Sequence, residues 1–490
     1  MPFNSYPYFV FLALAVLGFR LLEKRALTGR RVFLLLASYA FYAWWRADFL
    51  ALLLGSTLVN FLLGRAIEQR RAQQKSRRAI LVAGLVFNLG LIATFKYDTL
   101  FVGTADRLMG LGLAIPHFFL PLAISFFTFE QISYLADADA GKSPGYTLLD
   151  YALFVAYFPH LIAGPIVRHN DLIPQFRAAR APKNDDLATG ITLFTIGLAK
   201  KTLIADNLAP FADAIFNAAA RGTRLGATDA WLGALFFAFQ IYFDFSAYSD
   251  MALGSSVMLG IRLPVNFHSP YKAASIIEFW RRWHISLSAF LRDYLYVPLG
   301  GNRHGKGRRY LNLFITMFLG GLWHGANWTF MLWGGLHGFY LSVNHAYRRA
   351  TRGITPSPAL RLPLHVASVV LTFGATTLAW IVFRAPDLAS ARNVAGGLVG
   401  LGHSAVVSFS PLAAVALLLL AVIVWFMPNS MELMWNHRPA LPSPYPDQPV
   451  APARRLSWAP TPWNAAAYGL ICIIAVLALS NLKPFIYFQF

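Results

Sequence analysis

Apolar stretches of helix length alternate with short basic or Pro/Gly-rich connectors over nearly the whole chain. Continuous runs of this kind predict membrane-spanning helices and not the ten-residue alternation of an outer-membrane barrel. Spans are predicted at Phe9 to Leu22, Val32 to Trp44, Phe49 to Leu63, Ile80 to Phe95, Phe118 to Tyr134, Leu148 to Ile166, Ile191 to Ile204 and Ala230 to Tyr242. The C-terminal part adds Leu311 to Phe318, Thr329 to Val343, Val366 to Val382, Pro411 to Phe426 and Ala465 to Leu479. Several are too short to cross about 30 Å of hydrocarbon upright, so some must be re-entrant or shielded by neighbours. The expected fold class is an all-α polytopic integral membrane protein, with roughly ten to twelve spans in one membrane-embedded domain, residues 1–490. A Pro-rich connector at residues 428–462 precedes the last span, and no inverted repeat is visible.

Composition strengthens that picture. Of 490 residues, 57% are hydrophobic and only 13% charged, with a mean hydropathy of +0.50. Soluble domains carry about 25% charged residues, so a soluble enzyme, a DNA-binding domain and a disordered chain are excluded. The net charge of +20 sits in short loops beside apolar runs, where it orients the chain, and no nucleic-acid partner is expected. The first basic residue, Arg20, follows the first apolar run, so that run reads as a retained span and not as a cleaved signal. Clusters at Arg20, Lys24, Arg25, Arg30, Arg31 and at Arg65, Arg70, Arg71, Lys75, Arg77, Arg78 place two loops in the cytoplasm and the N-terminus outside. The one cysteine, Cys472, lies in an apolar run and reads as packing.

Between Tyr242 and His337 the apolar pattern is broken by ionisable groups, which are costly at membrane depth and usually line a cavity or pathway. In the stretch YFDFSAYSD, Asp244 with Tyr248 and Ser246 with Asp250 are i,i+4 neighbours on a helix. These carboxylates could hold a histidine or cation near a site, or simply pair with Arg281 or Arg282. The stretch WRRWHIS sets Arg281 and Arg282 between Trp280 and Trp283, with His284 directly after them, which suggests an amphipathic or re-entrant helix near the cytoplasmic interface. Its arginine heads suit lipid phosphate or an anionic cosubstrate, and they equally suit snorkelling at the interface.

His324 is the sharpest candidate. Gly320, Gly321 and Gly325 strip bulk from around it, so another backbone or a substrate can approach. An imidazole can take a proton from a hydroxyl attacking an acyl carbon and return it later. A lone histidine in an apolar setting is ordinarily a satisfied core group, but the glycines and the second histidine favour the acid–base reading. Zinc would need a third ligand at helical spacing, and His268, His304 and His337 match no such spacing. Walker, nucleophile-elbow and dinucleotide-binding patterns are missing from the sequence.

The segments YFDFSAYSDMALG, NFHSPY, EFWRRWHISLSAFLRDYLYVPLGGNR and LGGLWHGANWTFMLWGGLHG resemble the membrane-bound O-acyltransferase family. The resemblance is closest to its bacterial branch of alginate O-acetylation and related exopolysaccharide (cellulose) acetylation proteins. ASYAFYAWWRADFL, FKYDTLF, LPLAISFFTFEQISYLAD, FPHLIAGPIVR and the tail FIYFQF match as well, so the resemblance spans nearly the entire chain. It implies a ring of tilted helices around a thin central partition, with a funnel from one or both sides. It also implies a multi-pass protein of the bacterial inner membrane, surrounded by membrane lipids, that takes acetyl groups from cytosolic acetyl-CoA. On this reading no cofactor or metal is permanently bound, and a periplasmic acetyltransferase partner completes transfer to the polysaccharide. The family's near-invariant histidine maps onto His324, and its second, cytosol-facing histidine onto His284. Asp244, Ser246, Tyr248, Asp250, Arg281, Arg282, Trp283, Trp323 and Asn327 are the accompanying binding or supporting candidates. Arg303, Lys306, Arg308 and Arg309 would suit coenzyme A phosphates and serve equally as positive-inside determinants. A polysaccharide transporter, an export scaffold, and D-alanyl- or peptidoglycan-acylating branches remain the alternatives.

Overall fold

The computed structural model describes residues 1–23, 27–110, 112, 119–162, 164–178, 182–406, 411–445, 450–453, 456–481, 485 and 486. Lys24, Arg25, Phe118 and residues 487–490, used in the sequence reading, lie outside the described residues. The helices in chain order are α1 (Tyr6–Leu21), α2 (Leu27–Ala43), α3 (Ala47–Ala72), α4 (Arg78–Ile92), α5 (Asp98–Met109), α6 (Ile124–Ala140) and α7 (Leu148–Ala156). They continue with α8 (Phe158–Leu161), α9 (His169–Ala178), α10 (Asn184–Ala199), α11 (Asp206–Ala220), α12 (Ala227–Met258), α13 (Ile276–Trp280) and α14 (Ile285–Leu291). The last are α15 (Gly305–His324), α16 (Trp328–Ala350), α17 (Pro358–Arg384), α18 (Leu388–Leu398), α19 (Pro411–Phe426), α20 (Ser430–Met434) and α21 (Pro462–Leu477). Among the described residues there is no strand, only isolated bridges of Leu225 with Ser404 and of Pro264 with Leu441. The all-helical expectation therefore holds.

Among the described residues, five helical stretches are long and apolar enough to cross a bilayer unaided: Asp48–Ala72, Arg78–Tyr97, Asn184–Ala220, Ala227–Met258 and Pro358–Arg384. Pro411–Phe426 and Ser430–His437 form a further pair bent by 50°, and Tyr6–Leu21 and Pro462–Leu477 are shorter apolar helices. α15 and α16 miss that standard because glycine, histidine and basic residues interrupt their apolar faces. Leu148 to Ile166 is not one span. α7 starts at a capping box of Thr147 and Asp150 and stops at Ala156, where Tyr157 turns extended, and Pro159 is accommodated only in the first turn of the short α8. The 428–462 connector is not bare chain: Asn429 caps α20 by a capping box with Glu432, and Met431 and Met434 are buried.

α12 is the hub, buried along nearly its whole length. It packs on α10 closely enough that a Cβ on Gly190 would stand 2.7 Å from the carbonyl oxygen of Gly254. Small residues at that seam let the backbones meet, as membrane helix pairs require. Between α10 and α11 a π turn, Lys200–Ala205, re-aims two consecutive lysines toward α12. Lys200 Nζ lies 2.6 Å from Asp250 and Lys201 Nζ 2.7 Å from Asp244, so both carboxylates of the sequence motif are neutralised by lysines and not by Arg281 or Arg282. Buried charges at this depth must be paired in this way.

Candidate active site

α15 and α16 form an antiparallel hairpin whose tip carries His324. The helices touch through glycine: a Cβ on Gly321 would stand 2.2 Å from the Phe330 carbonyl oxygen, and one on Gly334 2.3 Å from that of Met317. The stripped bulk read from the sequence thus serves backbone approach within the hairpin. α15 ends at His324 because Gly325 is extended, and Asn327 opens α16 by accepting the Thr329 N–H at Oδ1 (3.1 Å). A helix C-terminus leaves carbonyls without partners. Here a second π turn, Ala93–Tyr97 beyond α4, supplies them. Lys96 Nζ donates to the carbonyls of Trp323 (2.6 Å) and His324 (3.1 Å), and the Tyr97 hydroxyl donates to that of Leu322 (2.7 Å).

His284 reaches the same place from a different element. WRRWHIS is not the single amphipathic helix expected: α13 ends at Trp280, residues 281–284 turn, and α14 starts at Ile285. His284 sits in the turn in the left-handed region (φ 43°), an uncommon conformation for a residue with a side chain. What holds it is the NFHS segment alongside. Ile285 N–H donates to the Asn266 carbonyl (3.0 Å) and His268 N–H to that of Arg282 (3.0 Å). The Asn266 side-chain oxygen lies 3.1 Å from His284 Nδ1.

The two imidazoles face each other with ring centroids 6.5 Å apart, both buried. Aromatic rings enclose them: Trp323, Trp333 and Phe383 lie 4.9, 5.0 and 5.4 Å from His324, and Phe245 stands edge-on to His284 at 4.7 Å. Trp323 lies 6.1 Å from His284 and so lines both rings. A third histidine, His337 on α16, lies 4.8 Å from Trp333 and accepts the Trp280 indole N–H at Nδ1 (3.2 Å). The arrangement is a buried aromatic chamber that holds two imidazoles, a setting in which charge is poorly screened.

The other sequence candidates fall into three places. Trp323 belongs to the chamber, whereas Trp283 forms its outer wall, 4.9 Å from Trp380, which in turn stacks on Trp333 at 5.6 Å. Asp244, Ser246, Tyr248 and Asp250 line the α12 core: Asp244 also accepts the Ile486 N–H (2.9 Å), Ser246 bonds back to its own helix, and Tyr248 stacks between Phe3 (4.6 Å) and Phe485 (4.4 Å). Arg282 is engaged by Glu278 (2.8 Å) and the His268 carbonyl (3.2 Å), and Arg281 lies 5.8 Å from the Tyr445 ring. Arg303, Lys306 and Arg308 are exposed, and Arg309 contacts His345. Sequence reasoning missed Lys96, Asn266, Ser286 and His337. A lysine inside the apolar run before Tyr97, and an asparagine in the same polar stretch as His284, were the available signals.

The sequence model of the membrane-bound O-acyltransferase family matches residues 119–383, which include both chamber histidines. A protein named peptidoglycan O-acetyltransferase from Helicobacter pylori is 42% identical over 426 residues, covering 80% of this chain and 78% of that one. A protein named probable alginate O-acetylase from Pseudomonas putida is 40% identical over 473 residues, covering 94% of each chain. A teichoic acid D-alanyltransferase from Streptococcus thermophilus is more distant, 24% identical over 283 residues, or 54% of this chain and 68% of its own.

Proposed function

Since this chain belongs to the membrane-bound O-acyltransferase family, we propose that it carries acetyl groups from cytosolic acetyl-CoA across the inner membrane toward a hydroxyl of a secreted exopolysaccharide, of alginate or cellulose type. It is a multi-pass membrane O-acyltransferase. The acetyl donor, a periplasmic acetyltransferase that finishes the transfer, and a periplasmic N-terminus are the finer parts of this reading. The observation that carries it is the buried pair of imidazoles 6.5 Å apart within aromatic walls.

A thioester is already activated, so the protein has to exclude water, align a hydroxyl and manage one proton. His324 takes the proton of the attacking hydroxyl as its oxygen bonds to the acyl carbon. The carbon–sulfur bond then breaks, and the imidazolium returns the proton to the departing thiolate. The Lys96 contacts to the carbonyls of Trp323 and His324 fix the end of α15 while this happens. Loss of a general base typically costs about 10² to 10⁴ in rate. His324→Ala protein that inserts normally should therefore leave the polymer without acetyl groups, and near-normal acetyl content would refute the assignment. The peptidoglycan O-acetyltransferase relative favours a second reading in which the final acceptor is peptidoglycan. Acetyl content measured separately on secreted polysaccharide and on purified peptidoglycan decides between the two.

A further inference from the structure

The bonding around His284 bears on which of its ring nitrogens carries a proton, through a residue outside the pair. The Asn266 side-chain oxygen faces three groups: His284 Nδ1 at 3.1 Å, the Ser286 backbone N–H at 3.3 Å and the Ser286 hydroxyl at 3.0 Å. A backbone N–H can only donate, so the carbonyl side of the amide, not its NH₂, must point there. The other end of the amide agrees, since Nδ2 lies 3.4 Å from the Ser249 hydroxyl. The Ser286 hydroxyl is fixed in turn: it accepts the Ile166 N–H (2.9 Å) and spends its own proton on Asn266. Facing an obligate acceptor, Nδ1 of His284 must be the protonated nitrogen of the neutral ring. Nε2 is buried and has no hydrogen-bond partner among the described residues.

We propose that Asn266 is a positioning residue that locks His284 as its Nδ1–H tautomer, so that His284 presents Nε2 to the reaction centre as a proton acceptor and not as a donor. In that state His284 cannot hydrogen-bond a thioester carbonyl oxygen, which needs a donor. It receives a hydrogen bond or a proton from the substrate side, and holds it while Nδ1–H stays on Asn266. The left-handed backbone at His284 is part of the same device, because it brings the ring and the Ser286 N–H onto one amide oxygen. The titratable group facing His284 from the neighbouring elements is His324 on α15, with Lys96 and His337 beyond it. The consequence for turnover rests on the acyl-transfer reading above, whereas the tautomer does not.

The test uses the full-length protein labelled with ¹⁵N-histidine in lipid nanodiscs, with the His284 signals identified by their loss in His284→Asn. Expected is a protonated Nδ1 and an unprotonated Nε2 in the parent. In Asn266→Asp, which keeps the acceptor, the same pattern should remain, whereas in Asn266→Leu the Nε2–H form should appear. Alongside, release of free coenzyme A is measured over a range of acetyl-CoA concentrations that spans the donor KM. Asn266→Leu should lower kcat at least about tenfold, with the donor KM within about twofold, and Asn266→Asp should recover most of it. A protonated Nε2 in the parent, or an unchanged pattern in Asn266→Leu, overturns the proposal. If Asn266→Leu does not fold, the parent and Asn266→Asp spectra still decide it. A parent that turns over no acetyl-CoA would count against the donor assignment alone.

Discussion

Gly321→Ala is the most direct test of how the hairpin places His324, because the added methyl has nowhere to go. Its carbon would lie 2.2 Å from the Phe330 carbonyl oxygen and 3.0 Å from Gly334 Cα, whereas ordinary contact begins at 3.4 Å. Both obstacles are backbone atoms of α16, so relief requires the two helices to part by about 1 Å, three residues before His324. Overpacking of this size costs roughly 1–3 kcal/mol, and a displacement of ~1 Å at a reacting group can cost about 10²-fold in rate. The neighbouring Gly320 is the internal control: its Cβ would meet only the end of the Leu291 side chain, at 3.0 Å, which can turn aside. Acetyl content of the polymer, membrane yield and thermal unfolding in detergent are compared for parent, Gly320→Ala and Gly321→Ala. Expected is a loss of activity approaching two orders of magnitude for Gly321→Ala, with a lowered unfolding temperature, and a mild effect for Gly320→Ala. If Gly321→Ala matches Gly320→Ala in both respects, the close approach does not set the histidine's position.

Lys96→Met should lower both unfolding temperature and activity, because two hydrogen bonds to buried carbonyls are lost at roughly 0.5–1.5 kcal/mol each, and unchanged melting would argue against the cap. Lys201→Met leaves Asp244 buried without its lysine, and Asp206 with it, and should destabilise the protein by about 3–5 kcal/mol, part of it restored in the double variant with Asp244→Asn; equal stability of the single and double variants would contradict this. Arg281→Ala and Arg282→Ala should each weaken acetyl-CoA binding about tenfold if they hold donor phosphate, whereas unchanged binding to purified protein would leave Arg282 the structural role of holding Glu278 and the His268 carbonyl.

Helix existence was legible because periodicity and length carry it, and the breaks were not. Pro159 was visible in FPHLIAGPIVR, yet the apolar run on both sides masked the stop at Tyr157. The span predicted at Ile191 to Ile204 ended inside the π turn and stopped short of α11, because the turn itself leaves no mark on hydropathy. Its effect is chemical: two lysines adjacent in sequence each reach a carboxylate on α12, and Asp244 and Asp250 alone gave no sign of which cations would answer them.

The site was half legible for a related reason. The glycines beside His324 are a local signal, and they predicted a close backbone approach that α16 supplies. The groups that complete the chamber are set by long-range contacts, which no spacing rule reports. Lys96 stands more than two hundred residues from the carbonyls it binds, and Asn266 works through a kink at His284 where a continuous helix was expected. That kink is what makes the pair possible. On an unbroken helix through WRRWHIS the Ser286 N–H would be committed to the carbonyl of Arg282; instead Arg282 receives His268, and Ser286 is released to orient Asn266 toward the imidazole. The strained left-handed residue is therefore where the local pattern gives way to the chemistry.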